Sequence, residues 1–583
     1  MSHAIPLRAG VAELAKTLLE SNAVFIAPTG YGKSKSLPVL LEEAEKAGIA
    51  ARAIHVLPLR TLVRQQYLFL REHLGDEAGY LAGLRLDAEG YSPFMLRRAV
   101  VSTLDSFALN LARLPVAELS LVLSGYEMRR LDGHYELPRA SIFTSLVVLD
   151  EAHLYAEPWS DEEPLSRMFL STILPVLRDT GTPVVVETAT MSTRLVDDIA
   201  RSISARVLAV CENCGPCNRG WVCIHDRSFE EENTFEWITR VLEGPESAIE
   251  VAIENARSGR KVLYAVNTVE SALRVYSVFR EELGDDEVVL VHGRLSQRDR
   301  EEAVKGIERA KVVVATQVIE AGVDVDAEVL VAEAAAPSSL AQRAGRLCRS
   351  KDVREKCRQD PPIVAVYSPS SPHPYGNLAE MALKAVDKLL SGPGRVEWRL
   401  LDDRGSYRSF RHLVEALESR GLGAGHRGVR ALAYRRLLGS VVASALGDPK
   451  AAHLLLEHFC SLVRGTALVS LAVPVSDGYD FIEAPLDWLK RGRARWRRLL
   501  DCSHGRCKAI GLAYSREGLV VVSDTWVEEA AIENMLDSCK GYVRTYYRLL
   551  ERLSHGDRDA RLYSLALVLR ENAYTPGIGL IAS

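Results

Sequence analysis

The chain has 583 residues, and at roughly 150 residues per domain this length predicts three or four domains. With 47% hydrophobic and 26% charged residues, the composition is that of a globular protein and excludes disordered and fibrous classes. Because 72 Lys and Arg residues face 77 Asp and Glu residues, the net charge is −5 and any polyanion site must be local.

No stretch of the sequence approaches the roughly 18 apolar residues that a membrane span requires, and the N-terminal segment MSHAIPLRAGVAELAK has no basic cluster followed by a long apolar core. We therefore expect a cytoplasmic protein without a membrane partner. Ten cysteines in so long a chain do not predict a secreted disulfide framework.

Short apolar runs alternate with longer mixed segments from residue 23 to about 210, and again from 261 to 333. This rhythm is typical of parallel sheets covered by helices on both faces. After about residue 385 helical periodicity dominates, although 462–475 and 518–527 look like strands. The predicted fold class is α/β, with parallel-sheet domains over 1–225 and 246–385 and a mixed, mainly helical accessory domain over 395–583.

The segment AVFIAPTGYGKSKSLPVLLEEA places a strand, a glycine-containing turn and a Lys-Ser pair before a helix. In such a phosphate-binding loop Gly30 and Gly32 let backbone N–H groups face a phosphate, Lys33 neutralises its oxygens and Ser34 can bind Mg²⁺. The first glycine of the full pattern is Ala27 here, and a chance Gly-Lys-Ser is the alternative. The predicted nucleotide-binding residues are Ala27, Pro28, Thr29, Gly30, Tyr31, Gly32, Lys33 and Ser34.

The apolar run SLVVLDEAHLY ends in Asp150 and Glu151, with His153 two residues beyond Glu151. At the edge of a parallel sheet such a pair would face the phosphate loop, with Asp150 holding Mg²⁺ through water and Glu151 deprotonating the attacking water. A solvated acidic pair at a helix N-terminus is the alternative.

The ordered segments APTGYGKS, DEAH (150–153), TAT (188–190), ATQVIEAGVDVD (315–326) and QRAGRLCR (342–349) resemble the motif set of superfamily 2 helicases of DEAH type. This resemblance implies two RecA-like domains over about residues 24–350, with ATP and Mg²⁺ as cofactors. A glutamine-containing adenine-recognition motif ahead of the phosphate loop, typical of DEAD-box RNA helicases, is missing.

The same resemblance implies a role for each motif residue. Arg346 and Arg349 are expected to reach the γ-phosphate as arginine fingers, with Gln342 sensing it; a salt-bridged surface helix is the alternative. Gly322 and Asp324 would lie at the cleft and bind the nucleotide, and Thr188 and Thr190 would couple hydrolysis to strand movement. The implied nucleic-acid contacts are Pro58, Leu59, Arg60, Thr61, Thr103, Asp105, His292, Gly293, Arg294 and Thr316, for each of which a turn or capping role is equally open.

The phrases DEAHLY, TQVIEAGVDVD, QRAGRLCR and YTPGIGL (574–580) resemble more narrowly the helicase-nuclease of type I CRISPR interference. That family usually carries an HD nuclease domain ahead of the helicase, but only 22 residues precede the first strand here, and the sole His-Asp dipeptide, His225-Asp226, is interpreted as structural. The resemblance implies a stand-alone helicase that acts on single-stranded DNA with a separate HD nuclease and a CRISPR surveillance complex. Alternatives are a DEAH-type RNA or repair-DNA helicase and a nucleotide-switch recruitment module.

Two further segments carry possible binding chemistry. Cys211, Cys214, Cys217 and Cys223 have spacing suited to a structural zinc ion or an iron-sulfur cluster, with local disulfides or free thiols as the alternatives. In DWLKRGRARWRRLL, six of the nine residues 490–498 are basic and Trp488 and Trp496 are interleaved. This segment predicts a site for phosphate and stacked bases, unless it is a solvated helix face.

Overall fold

The computed structural model describes residues 7–83, 89–115, 118–119, 134–156, 164–212, 220–422, 429–443, 449–515, 518–554 and 564–580. Within these ranges no helix is both long enough and apolar enough to cross a bilayer. Two parallel sheets and one mixed sheet, each packed with helices, account for most of the fold.

The first domain is built on apolar strands that are buried along nearly their whole length, because helices cover both faces of the sheet. The strands are β1 (Ala23–Ile26), β2 (Ala53–Leu57), β3 (Ala78–Leu81), β4 (Ala99–Thr103), β5 (Leu146–Leu149), β6 (Val184–Thr188), β7 (Arg206–Val210) and β8 (Val222–Ile224). They pair in parallel in the order β3-β4-β2-β5-β6-β1-β7-β8.

Helices of this domain follow the strands along the chain, as the alternating sequence pattern predicts. They are α1 (Ala9–Leu18), α2 (Leu37–Lys46), α3 (Arg60–Leu74), α4 (Leu104–Leu111), α5 (Glu136–Phe143), α6 (His153–Ala156), α7 (Leu165–Asp179), α8 (Thr193–Ile203) and α9 (Arg227–Asn233). Since β1, β2, β5 and β6 are neighbours, the segments after their C-terminal ends meet at one edge of the sheet. The predicted phosphate loop, residues 58–61, Asp150 and Thr188 all lie along that edge.

The second domain has a six-stranded parallel sheet, which confirms the prediction of two sheets of one type. Its strands are β9 (Ile238–Leu242), β10 (Val262–Ala265), β11 (Val288–Val291), β12 (Val312–Ala315), β13 (Val329–Glu333) and β14 (Ile363–Tyr367), in the order β11-β12-β10-β13-β14-β9. The helices are α10 (Pro245–Arg257), α11 (Val269–Leu283), α12 (Gln297–Gly306), α13 (Pro337–Ala344), α14 (Lys351–Gln359) and α15 (Asn377–Ser391). The predicted domain start at 246 falls inside α10, because β9 precedes it.

The C-terminal region combines helices with a mixed sheet, as predicted. A short parallel pair, β15 (Arg395–Glu397) with β16 (Tyr407–Ser409), follows the second domain. The main sheet contains β17 (Leu468–Val475), β18 (Gly478–Pro485), β19 (Cys502–Ser503), β20 (Arg506–Ser515), β21 (Gly518–Glu528) and β22 (Ser564–Val568), and β23 (Tyr574–Thr575) pairs with β24 (Gly579–Leu580). The helices are α16 (Arg411–Leu417), α17 (Val429–Ala443), α18 (Pro449–Phe459), α19 (Leu486–Ala494), α20 (Trp496–Leu499), α21 (Glu529–Asp537) and α22 (Cys539–Ser554).

The C-terminal region is joined to both parallel-sheet domains. Apolar side chains of all three parts belong to one continuous buried cluster, which includes Val24, Val313 and Leu567. An ion pair of 2.7 Å joins Arg464 to Asp105 of the first domain. The three parts therefore share one buried cluster, and smaller clusters such as that of Val262 and Val314 lie within a single part.

Cysteine pairing differs from the composition-based expectation. Disulfides join Cys348 to Cys357, Cys460 to Cys539 and Cys502 to Cys507. Cys460 and Cys539 are 79 residues apart in sequence but their Cα atoms are 4.7 Å apart. Such a pair forms through the packing of α18 against α22, which composition does not reveal.

Candidate nucleotide site and nucleic-acid face

The loop after β1 forms an open phosphate cradle. Gly30 and Gly32 have φ values of +79° and +98°, where an L side chain is strained, and a Cβ atom on either would meet nothing within 4 Å. Lys33 is buried, and its Nζ donates hydrogen bonds to the carbonyl oxygens of Ala27 at 3.0 Å and Pro28 at 3.2 Å. The lysine is thus held by the backbone of the loop that it would serve.

Tyr31 anchors the loop with its side chain. The ring is 1% exposed, and its hydroxyl donates to Asp226 Oδ2 at 2.6 Å while accepting from the Gly10 amide at 2.8 Å. Asp226 also caps α9, and His225 is hydrogen-bonded to Glu230 at 2.7 Å. The His225-Asp226 pair therefore has the structural role that the sequence suggested, and the Tyr31 hydroxyl is engaged away from the cradle.

Asp150 follows β5 and points at the cradle. Its Oδ2 accepts from Ser34 Oγ at 2.5 Å and from His55 Nε2 at 3.3 Å. Burial alone would raise the pKa of Asp150, but the His55 bond, the Lys33 charge and the Ser34 bond hold that pKa below its ordinary value. An ionised carboxylate beside a serine hydroxyl is a suitable donor set for Mg²⁺.

Glu151 and His153 lie next to Asp150, and burial shifts the pKa of each so that its neutral form is favoured. Glu151 has φ +49°, an uncommon value for a residue other than glycine. Burial raises the pKa of Glu151, and the charge of Asp150 adds to this shift. Burial lowers the pKa of His153 to about 3, so its ring is neutral near pH 7; Nδ1 lies 3.5 Å from both Glu151 Oε2 and Thr188 Oγ1. One carboxylate is thus kept charged and its neighbour is made more basic, which suits metal binding and proton abstraction respectively.

The second domain closes against this edge through the predicted QRAGRLCR segment. A Cβ atom placed on Gly345 would lie 2.4 Å from Thr29 Oγ1, so only glycine permits this approach. Arg346 donates to the carbonyl oxygens of Ile319 at 2.8 Å and Glu320 at 2.7 Å. Burial, with the charge of Arg349 beside it, lowers the pKa of Arg346 to about 10, which still leaves the guanidinium charged at neutral pH.

Arg349 and Gln342 belong to the same segment, which forms the second-domain wall of the site. Arg349 forms an ion pair with Asp324, and its backbone amide donates to Asp326 Oδ1 at 2.7 Å. Gln342 is buried, and its Nε2 has no hydrogen-bond partner within the described residues. A buried donor without a partner is costly unless a ligand satisfies it.

A cavity of about 700 Å³ lies between these two walls. Phosphate-loop residues, Glu151 and the second-domain residues Asp324, Gln342, Gly345, Arg346 and Arg349 line it together. Thr29 Oγ1, in the loop, has no hydrogen-bond partner in the described parts of the chain. The unsatisfied donors, the cations and the open glycine cradle fit a nucleoside triphosphate, and Ser34 and Asp150 would hold its Mg²⁺.

Sequence reasoning missed two buried polar residues of this site. His55 lies within β2 and Glu187 within β6, both fully buried among apolar neighbours. One ring nitrogen of His55 and carboxylate oxygens of Asp150 and Glu187 lie within 4.8 Å of one another. Burial raises the pKa of Glu187 well above its ordinary value. Each could have been recognised from the sequence as the single ionisable residue in an otherwise mainly apolar strand.

The predicted nucleic-acid residues of the first domain are largely engaged with the protein. Arg60 forms an ion pair of 2.6 Å with Glu483 of the C-terminal region. Thr103 caps α4 by accepting from the Ser106 amide, which is the alternative that the sequence left open. Thr61 faces Gly322, where a Cβ atom would lie 1.8 Å from Thr61 Oγ1. Gly322 therefore lies at the contact between domains, outside the residues that line the cavity.

In the second domain the loop after β11 is clasped by the C-terminal hairpin. The carbonyl oxygens of Ile578 and Arg294 accept from His292 Nε2 and from the Leu580 amide, each at 3.0 Å. Arg294 also pairs with Glu270 at 2.8 Å. Thr316 follows β12 and is buried, and Pro58 follows β2 near Arg60.

The cysteine cluster is only partly described. Cys214 and Cys217 lie outside the described residues. Cys211 and Cys223 are each disulfide-bonded, but not to each other, because their Sγ atoms are 3.7 Å apart. Because a disulfide sulfur is not a thiolate, this arrangement favours the disulfide alternative over the metal at these two positions.

Comparison with known proteins finds similarity to helicases. The family described as DEAD/DEAH box helicase matches residues 11–199, and that described as CRISPR-associated nuclease/helicase Cas3, C-terminal, matches 258–352. The CRISPR-associated helicase Cas3 of Thermoproteus tenax is 25% identical over 448 residues, which cover 71% of this chain and 69% of that protein. The CRISPR-associated nuclease/helicase Cas3 of Methanothermobacter thermautotrophicus is 26% identical over 57% of this chain and 38% of its own length.

Among solved structures, T. fusca Cas3 with AMPPNP has the same fold, with a TM-score of 0.55 and 16% identity over 82% of this chain and 60% of that chain. The fold and the site define a superfamily 2 helicase with two RecA-like domains and a mixed C-terminal region. The chain is similar to CRISPR-associated Cas3 helicases, and the matched regions carry the ATP-hydrolysing helicase part. It spans between 38% and 69% of the length of the three relatives described.

Proposed function

We propose that this chain hydrolyses ATP to move along single-stranded DNA in type I CRISPR interference. The main support is that residues of both RecA-like domains line one cavity. The first domain contributes the phosphate loop and Glu151, and the second contributes Arg346 and Arg349. A nucleotide bound there would be gripped by both domains at once, so its hydrolysis would alter their contact.

Each residue has a distinct part in hydrolysis. Lys33 would exchange its backbone acceptors for phosphate oxygens, and Glu151, with its raised pKa, would take the proton of the attacking water. Arg346 and Arg349 would stabilise the negative charge of the transition state, and Gln342 would use its free donor on the γ-phosphate. Ser34 and Asp150 would hold Mg²⁺, which when bound would supply positive charge to the phosphates.

The polymer would run across the same edge of both sheets, past the segments that begin at Pro58 and His292. Thr188 would report on hydrolysis through its contact with His153, and Thr61 would be coupled to the second domain through Gly322. Similarity to Cas3 helicases supports single-stranded DNA as the polymer and a CRISPR surveillance complex as the loading partner. A similar chain with a TM-score of 0.51 and 18% identity comes from a CRISPR RNA-guided surveillance complex in a pre-nicking state.

We further propose that the nuclease is a separate HD polypeptide. The contacts of His225 and Asp226 support this, because His225 is hydrogen-bonded to Glu230 and Asp226 accepts from Tyr31 and caps α9. Incubation of the purified chain with single-stranded DNA and Mn²⁺ should give no cleavage, and cleavage should appear on addition of the HD subunit. Cleavage by the chain alone would contradict the proposal.

The first test is the steady-state ATPase rate without polymer, with single-stranded DNA and with single-stranded RNA, using Lys33→Ala as the inactive control. Stimulation by DNA well above that by RNA, lost in the variant, is the expected result. Stimulation by RNA would favour an RNA helicase. Hydrolysis that neither polymer stimulates would favour the nucleotide-switch module.

A further inference from the structure

Two basic segments that are almost 200 residues apart in sequence meet on one tryptophan. Trp488 lies on α19, directly after β18, and is half-buried. The Arg294 guanidinium lies 4.9 Å from the centre of the Trp488 ring, and the Arg495 guanidinium lies 4.3 Å from it. These distances are those of cation–π contacts.

Further arginines surround this contact, and we call Arg294, Trp488, Arg491, Arg495 and Arg498 the Trp488 shelf. Burial and the neighbouring charges of Arg294, Arg498 and Arg491 lower the pKa of Arg495. Arg491, Arg495 and Arg498 form no ion pair within the described residues. Within the shelf Arg294 is paired with Glu270, whose charge also acts on Arg495, and the charges of Arg491 and Arg498 have no acidic partner in the described part of the protein.

The other basic residues nearby are different. Lys490 is paired with Asp537 at 3.4 Å, and Arg497 with Glu533 at 3.2 Å and Glu529 at 3.6 Å. The structure thus divides one basic segment into cations with internal partners and cations without them. Sequence alone treats all of them alike.

The geometry of the shelf suits phosphodiesters. A guanidinium that lies on an aromatic ring keeps the N–H donors of its plane available, and these match two oxygens of a phosphate. Neighbouring arginines repel one another, and a bound polyanion lowers the free energy of the site because it reduces this repulsion. Aromatic and arginine side chains together also favour single strands, whose bases are free to stack.

The position of the shelf points to the same ligand. Five residues before Trp488, Glu483 contacts Arg60 of the first domain, whereas Trp488 contacts Arg294 of the second. The clasp of His292 and Arg294 by the C-terminal hairpin fixes the two sides of the shelf relative to each other. The shelf therefore continues the path of the predicted nucleic-acid residues from one domain to the next.

We propose that the Trp488 shelf binds the sugar-phosphate backbone of single-stranded DNA where it passes between the second RecA-like domain and the C-terminal region. This inference rests on the proposed function and names a binding site for its polymer. It assigns to the C-terminal region a direct grip on the strand.

The test compares variants of α19 and α20 that remove the same kind of side chain. Binding of fluorescently labelled oligothymidylate is measured by anisotropy between about 50 and 200 mM salt for the wild-type chain, for the double variant Arg491→Ala/Arg495→Ala and for the control Arg497→Ala. The double variant should bind about 10-fold more weakly, and the slope of log affinity against log salt should fall by about 1.4, or about 0.7 for each lost phosphate contact. Arg497→Ala should bind like the wild type.

A second pair of variants tests the role of the Trp488 ring. Trp488→Ala should weaken binding, whereas Trp488→Phe, which keeps an aromatic face for the arginines, should retain most of it; thermal melting of each variant verifies the fold. Equal affinity and salt slope for the double variant and Arg497→Ala would overturn the shelf while leaving the proposed function intact. If the wild-type chain neither binds single-stranded DNA nor is stimulated by it, the proposed function fails and the shelf with it.

Discussion

The nucleotide cavity and the nucleic-acid face differ in how their charged groups are held. In the cavity Lys33 and Arg346 are bound by backbone carbonyl oxygens of their own domains, so no acid has to leave before a phosphate arrives. On the nucleic-acid face Arg60 and Arg294 are paired with the carboxylates of Glu483 and Glu270.

This difference has a functional meaning. Lys33 and Arg346 lack acidic partners and are preorganised for an anion, although Arg349 of the same cavity is paired with Asp324. Arg60 and Arg294 already have acidic partners, so they bind a polymer only by exchanging one partner for another, which weakens their contribution to binding and makes it reversible. Reversible contact is what a protein that steps along a strand requires. Four substitutions test the comparison.

The largest effect is expected at the catalytic base of the cavity. Glu151→Gln should lower kcat for ATP hydrolysis by about 10³-fold, because the amide does not accept the proton of water. Binding of a fluorescent ATP analogue should persist. Glu302→Gln, a change at an exposed glutamate of α12, is the matched control; a Glu151→Gln rate above one tenth of the control rate would remove Glu151 from the role of base.

Substitution of the buried histidine of β2 should give a smaller loss. His55→Leu removes the bond that orients Asp150, and loss of such an orienting partner typically costs about 10- to 100-fold in metal affinity or activity. The Mg²⁺ concentration for half-maximal ATPase should rise accordingly. An unchanged Mg²⁺ dependence would mean that Asp150 keeps its orientation without His55, and His412→Leu at an exposed position of α16 provides the control.

The clasp on the nucleic-acid face should weaken in acid. Burial lowers the pKa of His292 to about 4, below about 6.5 in an unfolded chain. Stability from this residue is present above pH 6.5 and is lost as the pH falls from 6.5 to 4, by about 1 kcal/mol at pH 5.5. Denaturant unfolding at pH 7.5 and 5.5 should show a smaller acid effect for His292→Gln than for the wild type; equal effects would mean that His292 does not resist protonation.

The smallest effect concerns the partner exchange itself. Glu483→Gln frees Arg60 from a partly buried pair, and because pairs near the surface are worth about 0.2 to 1 kcal/mol, affinity for single-stranded DNA should rise up to about fivefold. Asp477→Asn, which frees Arg298 in an exposed pair nearby, should leave it unchanged. Unchanged or weaker binding by Glu483→Gln would show that Glu483 does not compete with the polymer.

How far the sequence predicted the molecule depends on the distance over which residues interact. The phosphate loop, Asp150 and Glu151 could be recognised because each motif is a short segment at the end of an apolar strand, and the parallel sheet brings such ends together. The same local patterns predicted both parallel sheets. His55 was missed because its partner Asp150 lies on a neighbouring strand 95 residues away.

On the nucleic-acid face the decisive contacts are more distant. Nothing around Arg60 indicates that Glu483 will face it, and nothing around Arg497 shows that it has acidic partners while Arg495 does not. The disulfide between Cys460 and Cys539 belongs to the same class, since it depends on the packing of two helices. Local patterns predicted the elements, but the docking of the C-terminal region determined which charges remain available.

The clasp of His292 by Ile578 also orders the events of protein synthesis. The two residues are 286 positions apart, and a ribosome that adds about 5–20 residues per second needs roughly 15 to 60 s to cover that distance. Every residue that lines the cavity, up to Arg349, has been made well before the hairpin arrives. A nascent chain therefore completes the sequence of the proposed ATP site first, and the contact between His292 and Ile578 forms only afterwards.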